Sequence, residues 1–258
     1  MSWSPFDCHA HTTNSDGACT VVELIQRVRS RGVRPSVSDH VSGDVPSGLR
    51  SARDFERYLD ELELHDVGRA AEFCWHDPLW RELPPALMRR LTHRIGSLHA
   101  ILLPGGQVVH AFAESIPDGL SPSRYMDAHI VNLERLVIEM PVDILAHPTL
   151  VPFPLRKLPL EELWTEELEE RAVAALAGAG ICFEISSRYW PHERFVRRAV
   201  DGGVRISLGS DGHAADSVGD VARPLALARF MGVPDEEIYD PTVHGSCGLT
   251  RRVAYRSA

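Results

Sequence analysis

The stretch Phe6-Asp7-Cys8-His9-Ala10-His11 reads as a short strand whose end carries two histidines two residues apart. Side chains alternate between the two faces of a strand, so His9 and His11 share a face and can converge on one ion. An amphipathic stretch follows at residues 21–31, with Thr20 and Glu23 in capping-box spacing and Gly32 where a helix-ending glycine is expected. A second apolar segment, residues 35–38, then runs into Asp39-His40.

The same alternation continues to the end of the chain. Further strand candidates lie at residues 6–10, 35–38, 70–75, 96–102, 142–146, 181–185 and 204–209. Amphipathic stretches separate them, the clearest at 53–65, 84–94, 122–139 and 161–179. Alternation of this kind implies a mostly parallel sheet, either open or closed into a barrel. Pro- and Gly-rich stretches at 43–48, 104–106 and 148–159 read as loops after strands, and in parallel barrels such loops build the active site. There is no repeat, low-complexity linker or composition break, so a single domain over residues 1–258 is expected.

Composition narrows the class of protein. Hydrophobic residues make up 44% and charged residues 24% of the 258, as in an ordinary soluble globule. A chain this long buries a sizeable core without metal or disulfide staples, so a bound metal would serve chemistry rather than folding. The net charge of −9 comes with no long basic run, which argues against nucleic acid as a large-surface partner. A small anionic substrate stays open, because bound cations reverse the field in a site. The five cysteines, Cys8, Cys19, Cys74, Cys182 and Cys247, form no CxxC pair and read as reduced thiols of a cytoplasmic protein. No leader pattern and no apolar run of about 18 residues is present, so no membrane partner is expected.

The residues suited to metal fall at strand ends. His40 closes the second strand candidate, and Glu72 interrupts the apolar third. A carboxylate buried in a strand costs on the order of several kcal/mol unless it is paired or bound to a cation. His99 lies in the fourth, His147 ends the fifth, and the seventh runs into Ser210-Asp211-Gly212-His213. Clustered histidines and acids in such register mark a metal site rather than unrelated core histidines. His65, His76, His93, His129 and His192 lie in or beside helical stretches and read as solvated, while His110 and His244 stay unassigned. Cys8 reads as packing. Asp39 either orients a ligand from behind or caps a helix.

With these residues in hand the chain resembles the polymerase and histidinol phosphatase (PHP) superfamily. The likeness rests on Asp7-Cys8-His9-Ala10-His11-Thr12, Ser15-Asp16-Gly17, Ser38-Asp39-His40, Glu72, Gly96-Ser97-Leu98-His99, Ala146-His147-Pro148 and Gly209-Ser210-Asp211-Gly212-His213, in the family's order. The resemblance implies an α/β fold, a distorted (β/α)7 TIM-like barrel, with two to three divalent ions at its mouth. His9, His11, Glu72 and Asp211 would hold the first ion. Glu72, His99 and His147 would hold the second, and Asp16, His40 and His213 the third. Glu72, Asp211 and His213 are then the catalytic residues, and zinc, manganese or iron suits the ligands.

That pattern implies hydrolysis of a small phosphate ester by a metal-activated hydroxide. Arg156, after the fifth strand, and Arg188, after the sixth, are placed to bind the substrate phosphate, although loop arginines are often merely solvated. Glu184-Ile185-Ser186-Ser187-Arg188 stands where histidinol phosphatases often carry Asn after Glu-Ile, and Leu103-Pro104-Gly105-Gly106 is also unlike them. Histidinol phosphate is therefore one phosphomonoester among several, nucleotides included. Two other classes compete: an amidohydrolase-type enzyme cleaving a C–N or C–O bond, and a non-catalytic metal-binding domain.

Overall fold

The computed structural model describes residues 3–45 and 47–246. Its strands are β1 (Phe6–Asp7), β2 (Arg34–Val37), β3 (His40–Val41), β4 (Gly68–Arg69), β5 (Glu72–Cys74), β6 (Ile95–Ser97), β7 (Ala100–Leu102), β8 (Val108–His110), β9 (Ile144–Leu145), β10 (Cys182–Ser186) and β11 (Ile206–Gly209). Two parallel sheets contain most of them, ordered β1-β2-β4 and β11-β10-β9-β6-β5-β3.

Backbone hydrogen bonds join these sheets into one ring. Ala70 N–H donates to the Val37 carbonyl at 2.8 Å and Glu72 N–H to that of Asp39 at 3.1 Å. These bonds lay β2 and β3 along β4 and β5 as two interrupted strands. At the opposite edge, Cys8 N–H donates to Leu208 at 2.9 Å and Asp211 N–H to His9 at 2.8 Å. A parallel bridge between Ala10 and Gly212 extends that pairing. The strands therefore close into a distorted parallel barrel with seven positions. Five longer helices, Val21–Ser30, Ala52–Leu62, Pro122–Glu139, Glu166–Ala179 and Glu193–Asp201, make crossings between strands, and a sixth, Ala222–Phe230, follows the last strand. Only the short Leu79–Glu82 and Pro85–Met88 span the step from β5 to β6.

Local chemistry explains the elements. The first helix starts at the Thr20–Glu23 capping box, with Thr20 N–H donating to Glu23 Oε2 at 2.9 Å. Gly32 ends it at φ +72°, a conformation that favours glycine. Val21, Leu24, Ile25 and Val28 are the buried stripe, at the i, i+3, i+4, i+7 spacing that faces one side of a helix. In the second helix, Tyr58 reaches into the strand break. Its hydroxyl accepts from Asp39 N–H at 3.2 Å and lies 2.8 Å from the Ala70 carbonyl, so backbone groups left over by the interruption find a partner.

Several expectations need correcting. Residues 96–102 are not one strand, because the chain leaves the barrel at His99 and β7 turns back antiparallel on β8. Residues 84–94 hold one short helix, and 161–179 break into Leu160–Leu163 and Glu166–Ala179. Four histidines read as solvated are not: His76 has a side chain only 6% exposed, and three others are buried. His93 Nε2 sits 2.9 Å from the Cys8 carbonyl, His192 Nε2 lies 2.6 Å from Glu169, and His129 packs edge-on to Trp164. Burial lowers the pKa of both His93 and His129 to about 4, which makes them neutral core residues. Cys8 is indeed packing, in a cluster with Phe6, Ile95, Ile144 and Cys182. Cys8, Cys19, Cys74 and Cys182 are free thiols, and Cys247 lies outside the described residues. Among the described residues no helix is long and apolar enough to cross a membrane.

Tyr58→Phe tests the strand break. It strips the Asp39 N–H of its buried acceptor, so stability should fall by about 1–3 kcal/mol with an unchanged urea m-value. An unaltered unfolding midpoint would show that the hydroxyl is dispensable there.

Candidate metal centre

The barrel brings all nine sequence-selected residues to one mouth. His9 and His11 lie on the irregular continuation of β1, His40 on β3, Glu72 on β5, His99 at the exit of β6, and His147 after β9. Asp211 and His213 follow β11, and Asp16 sits on the loop after His11. Glu72, only 1% exposed, is at the middle. Its Oε2 is 3.3 Å from His9 Nε2, 3.6 Å from His11 Nε2 and 3.0 Å from His40 Nδ1. Its Oε1 is 3.2 Å from His99 Nε2 and 3.1 Å from His147 Nε2. Asp211 Oδ1 lies 3.4 Å from His11 Nε2, and Asp16 lies 3.5 Å from His40 and 3.3 Å from His213.

Four groups emerge at the mouth: His9, His11 and Asp211; Glu72, His99 and His147; His11, Asp16, His40 and His213; and His40, Cys74 and His99, which links the second to the third. Within each, the ligand-type atoms lie no more than 4.8 Å apart. The side chains point at shared positions rather than at one another. Glu72 Oε2 and His40 Nδ1 are close, yet neither has a hydrogen-bond partner, and His11 Nδ1 and His147 Nδ1 are also buried without one. His9 Nε2 and His11 Nε2 face each other at 3.1 Å, where two neutral lone pairs would repel unless a proton or cation stood between them. A donor set of imidazoles and carboxylates with orphaned inward atoms fits divalent cations.

The electrostatics agree. Burial alone would raise the Glu72 carboxyl, but His99, His40 and His9 around it hold it well below the usual range. Burial opposes ionisation of Asp211 too, and His9 and His11 overcome it. Burial, with His40 beside it, drives His11 down to about 3, leaving a neutral ring with lone pairs. Burial would likewise lower His40, but Glu72 and Asp16 raise it to about 10. Protons held so tightly among carboxylates occupy places that a cation takes with release of protons.

Further acids lock the mouth from behind. Glu184 Oε1 is 2.7 Å from His9 Nδ1, and its Oε2 accepts the His147 N–H at 2.7 Å. Gly209 makes that possible, since a Cβ there would stand 2.1 Å from Glu184 Oε1. Asp39 caps no helix. It accepts from Thr12 N–H at 2.8 Å and from the Thr12 and Ser15 hydroxyls at 2.6 Å each, fixing the loop that carries Asp16. Asp7, raised to about 6 by burial, accepts from Ser210 and Gly219 N–H and holds the turn bearing Asp211. Cys74 Sγ lies 3.1 Å from His99 Nδ1, which turns Nε2 toward Glu72. His147 at φ 28° and Asp211 at φ 50° are the positive-φ non-glycine residues among those described. Such conformations persist where the surroundings over-determine them, commonly at functional sites. The sequence carried a signal for Glu184, because an acid in an apolar strand is the argument that singles out Glu72.

The centre opens into a cleft of about 290 Å³ walled by Asp44, Phe112, Arg188 and Tyr189 as well as the ligand-type residues. Arg188 reaches this cleft and touches His213 Nδ1. Arg156 does not itself line the cleft. Its guanidinium donates to the Val151 and Ala111 carbonyls and stacks over Phe153, 5.6 Å from the rings of the cleft walls Phe112 and Tyr189. A larger hollow of about 800 Å³ lies along helix Pro122–Glu139 and has no metal-type cluster in its lining.

Glu184→Gln checks the support from behind. The amide must present N–H to either His9 or the His147 backbone, so zinc affinity measured by chelator competition should drop about 10–100-fold. Unchanged affinity would make Glu184 a bystander.

No family profile matches the sequence, and no curated protein matches it. Solved structures do. A Listeria monocytogenes protein named as a candidate histidinol phosphatase superposes with a TM-score of 0.69 at 14% identity, over 85% of this chain and 99% of its own. The histidinol phosphate phosphatase of Lactococcus lactis, solved with zinc, L-histidinol and phosphate, superposes with a TM-score of 0.67 at 15% identity, over 90% of this chain and 95% of its own. The chain thus shares its α/β barrel fold with structures of the histidinol phosphatase type.

Proposed function

We propose that this chain is a metal-dependent phosphomonoesterase acting on a small phosphate ester. The observation that carries the reading is the central Glu72, whose two oxygens face separate groups of imidazoles. His9, His11, Glu72 and Asp211 are the ligands we assign to one ion, and Glu72, His99 and His147 to a second. Asp16, His40 and His213 would hold a third, and zinc, manganese and iron all suit these donors. Such ions, when bound, supply Lewis-acid polarisation of a phosphoryl group and acidify water.

The chain's own groups do the rest. Glu72 keeps two ligand clusters at a fixed spacing, because it is buried and gripped from both sides. Arg188, exposed at the rim, offers the planar donor fork that suits phosphate oxygens. Phe112, its ring 5.6 Å from that of His99, and Tyr189, 5.2 Å from His147, give the cleft apolar walls against the organic part of a substrate. A cleft this small favours a compact ester over a polymer. The Lactococcus relative, solved with zinc, histidinol and phosphate, supports the same reaction class. Histidinol phosphate and nucleotide-like esters are the substrates to test first.

Phosphate release from a panel of small phosphoesters with added Mn²⁺ or Zn²⁺ is the direct assay. Chelation should abolish release while far-UV circular dichroism stays near that of the loaded protein, because the apolar core does not involve the centre. Turnover of amides or lactones in place of phosphoesters would favour the amidohydrolase-type alternative.

Glu72→Gln keeps the shape and removes the charge that two clusters share. It should lower both metal content and rate more than Asp16→Asn, whose site is half-exposed and peripheral. If Glu72→Gln retained its metal and rate, the bridging role would be wrong.

A further inference from the structure

A separate grouping of metal-type side chains lies on the same rim. Asp44 follows β3, His76 follows β5 and His110 ends β8, so three different loops each offer one ligand-type atom, all within 4.8 Å of one another. We propose that Asp44, His76 and His110 form an additional site for a zinc-like divalent ion, which ties these three rim loops together beside the cleft. Two imidazoles and one carboxylate are a donor set that suits first-row transition metals and leaves coordination positions open.

His76 carries the argument. Its side chain is only 6% exposed, which is unlike a solvated histidine, and its Nε2 contacts Asp44 Oδ2. Its Nδ1 is buried with no hydrogen-bond partner. A neutral imidazole carries one proton, so an Nε2–H donated to Asp44 leaves the buried Nδ1 lone pair unsatisfied, and the other tautomer sets a lone pair against the carboxylate. Protonation does not relieve this, because the second N–H would point into the same buried position, where no acceptor stands. A cation shared with Asp44 takes the Nε2 lone pair of that second tautomer and removes its repulsion from the carboxylate.

The surroundings prepare such a site. His110 stands edge-on to His76 with ring centroids 5.4 Å apart. The backbone next to Asp44 is pinned by Asp77, which accepts from the Ser42 hydroxyl at 2.8 Å and from Gly43 N–H. Asp44 and His110 are both exposed, so their side chains are free to turn the short distance to ligand bonds of about 2.0–2.2 Å. Asp44 also lines the cleft, which places an ion here at the edge of the space open to substrate.

Zinc-edge anomalous diffraction from crystals of the full chain grown with zinc alone tests this, wild type beside His110→Ala. The wild type should show a peak among Asp44, His76 and His110 that the variant lacks, with the peaks around Glu72 present in both. His110 is exposed, so its loss should not disturb folding. In solution, zinc retained after gel filtration should be one ion per chain greater in the wild type. Peaks around Glu72 with none at this rim position would overturn the inference and leave the phosphomonoesterase reading intact. Absence of zinc at both places would overturn the two together. Equal zinc retention by the two proteins would reduce any crystal peak to adventitious binding and also overturn it.

Discussion

The carboxylate of Glu72, buried at the mouth of the barrel and enclosed by five imidazoles, is the constraint that the rest of the structure serves. Left without charge compensation, a carboxylate in that position would cost on the order of several kcal/mol. The ring of histidines offsets this cost, but only if His9 and His11 from one strand and His40, His99 and His147 from three others arrive at the correct height. Seven parallel strands that all end at one mouth provide that arrangement. An open sheet would not surround one point.

Holding the ring requires a layer of acids that never reach the cleft. Asp7 fixes the turn of Asp211, Asp39 fixes the loop of Asp16, and Glu184 fixes both His9 and His147. Each is fully buried and satisfied by several donors, and each spans segments far apart in sequence. They also account for the unusual backbone at His147 and Asp211. Left-handed conformations at non-glycine residues need external support, and the Glu184 bond to the His147 N–H supplies it at one of the two.

Much of this was legible in the sequence, for a physical reason. Strand alternation is strictly local, so His9 and His11 declare a shared face, and an acid such as Glu72 inside an apolar strand declares an unusual partner. The capping box at Thr20 was equally readable. What was hidden depends on contacts across long separations. His93 is buried because the Cys8 carbonyl, 85 residues away, waits for it, and His192 because Glu169 does. Their local sequence looks like any helix flank. The break at His99 was hidden too, because residues 98–102 are apolar on both sides of it while the hairpin that pulls the chain outward is made by residues 108–110. Arg156 follows a strand as read, but the carbonyls of Val151 and Ala111 that hold its guanidinium are not visible in the local sequence.

The shared carboxylate makes a demand that spectroscopy reads directly. Two Mn²⁺ ions bridged by Glu72 would be magnetically coupled, so electron paramagnetic resonance of the manganese-loaded protein should show the broadened signal of an exchange-coupled pair. That signal should collapse to isolated ions in Glu72→Gln. A wild-type spectrum made only of isolated Mn²⁺ at full loading would contradict a bridging Glu72.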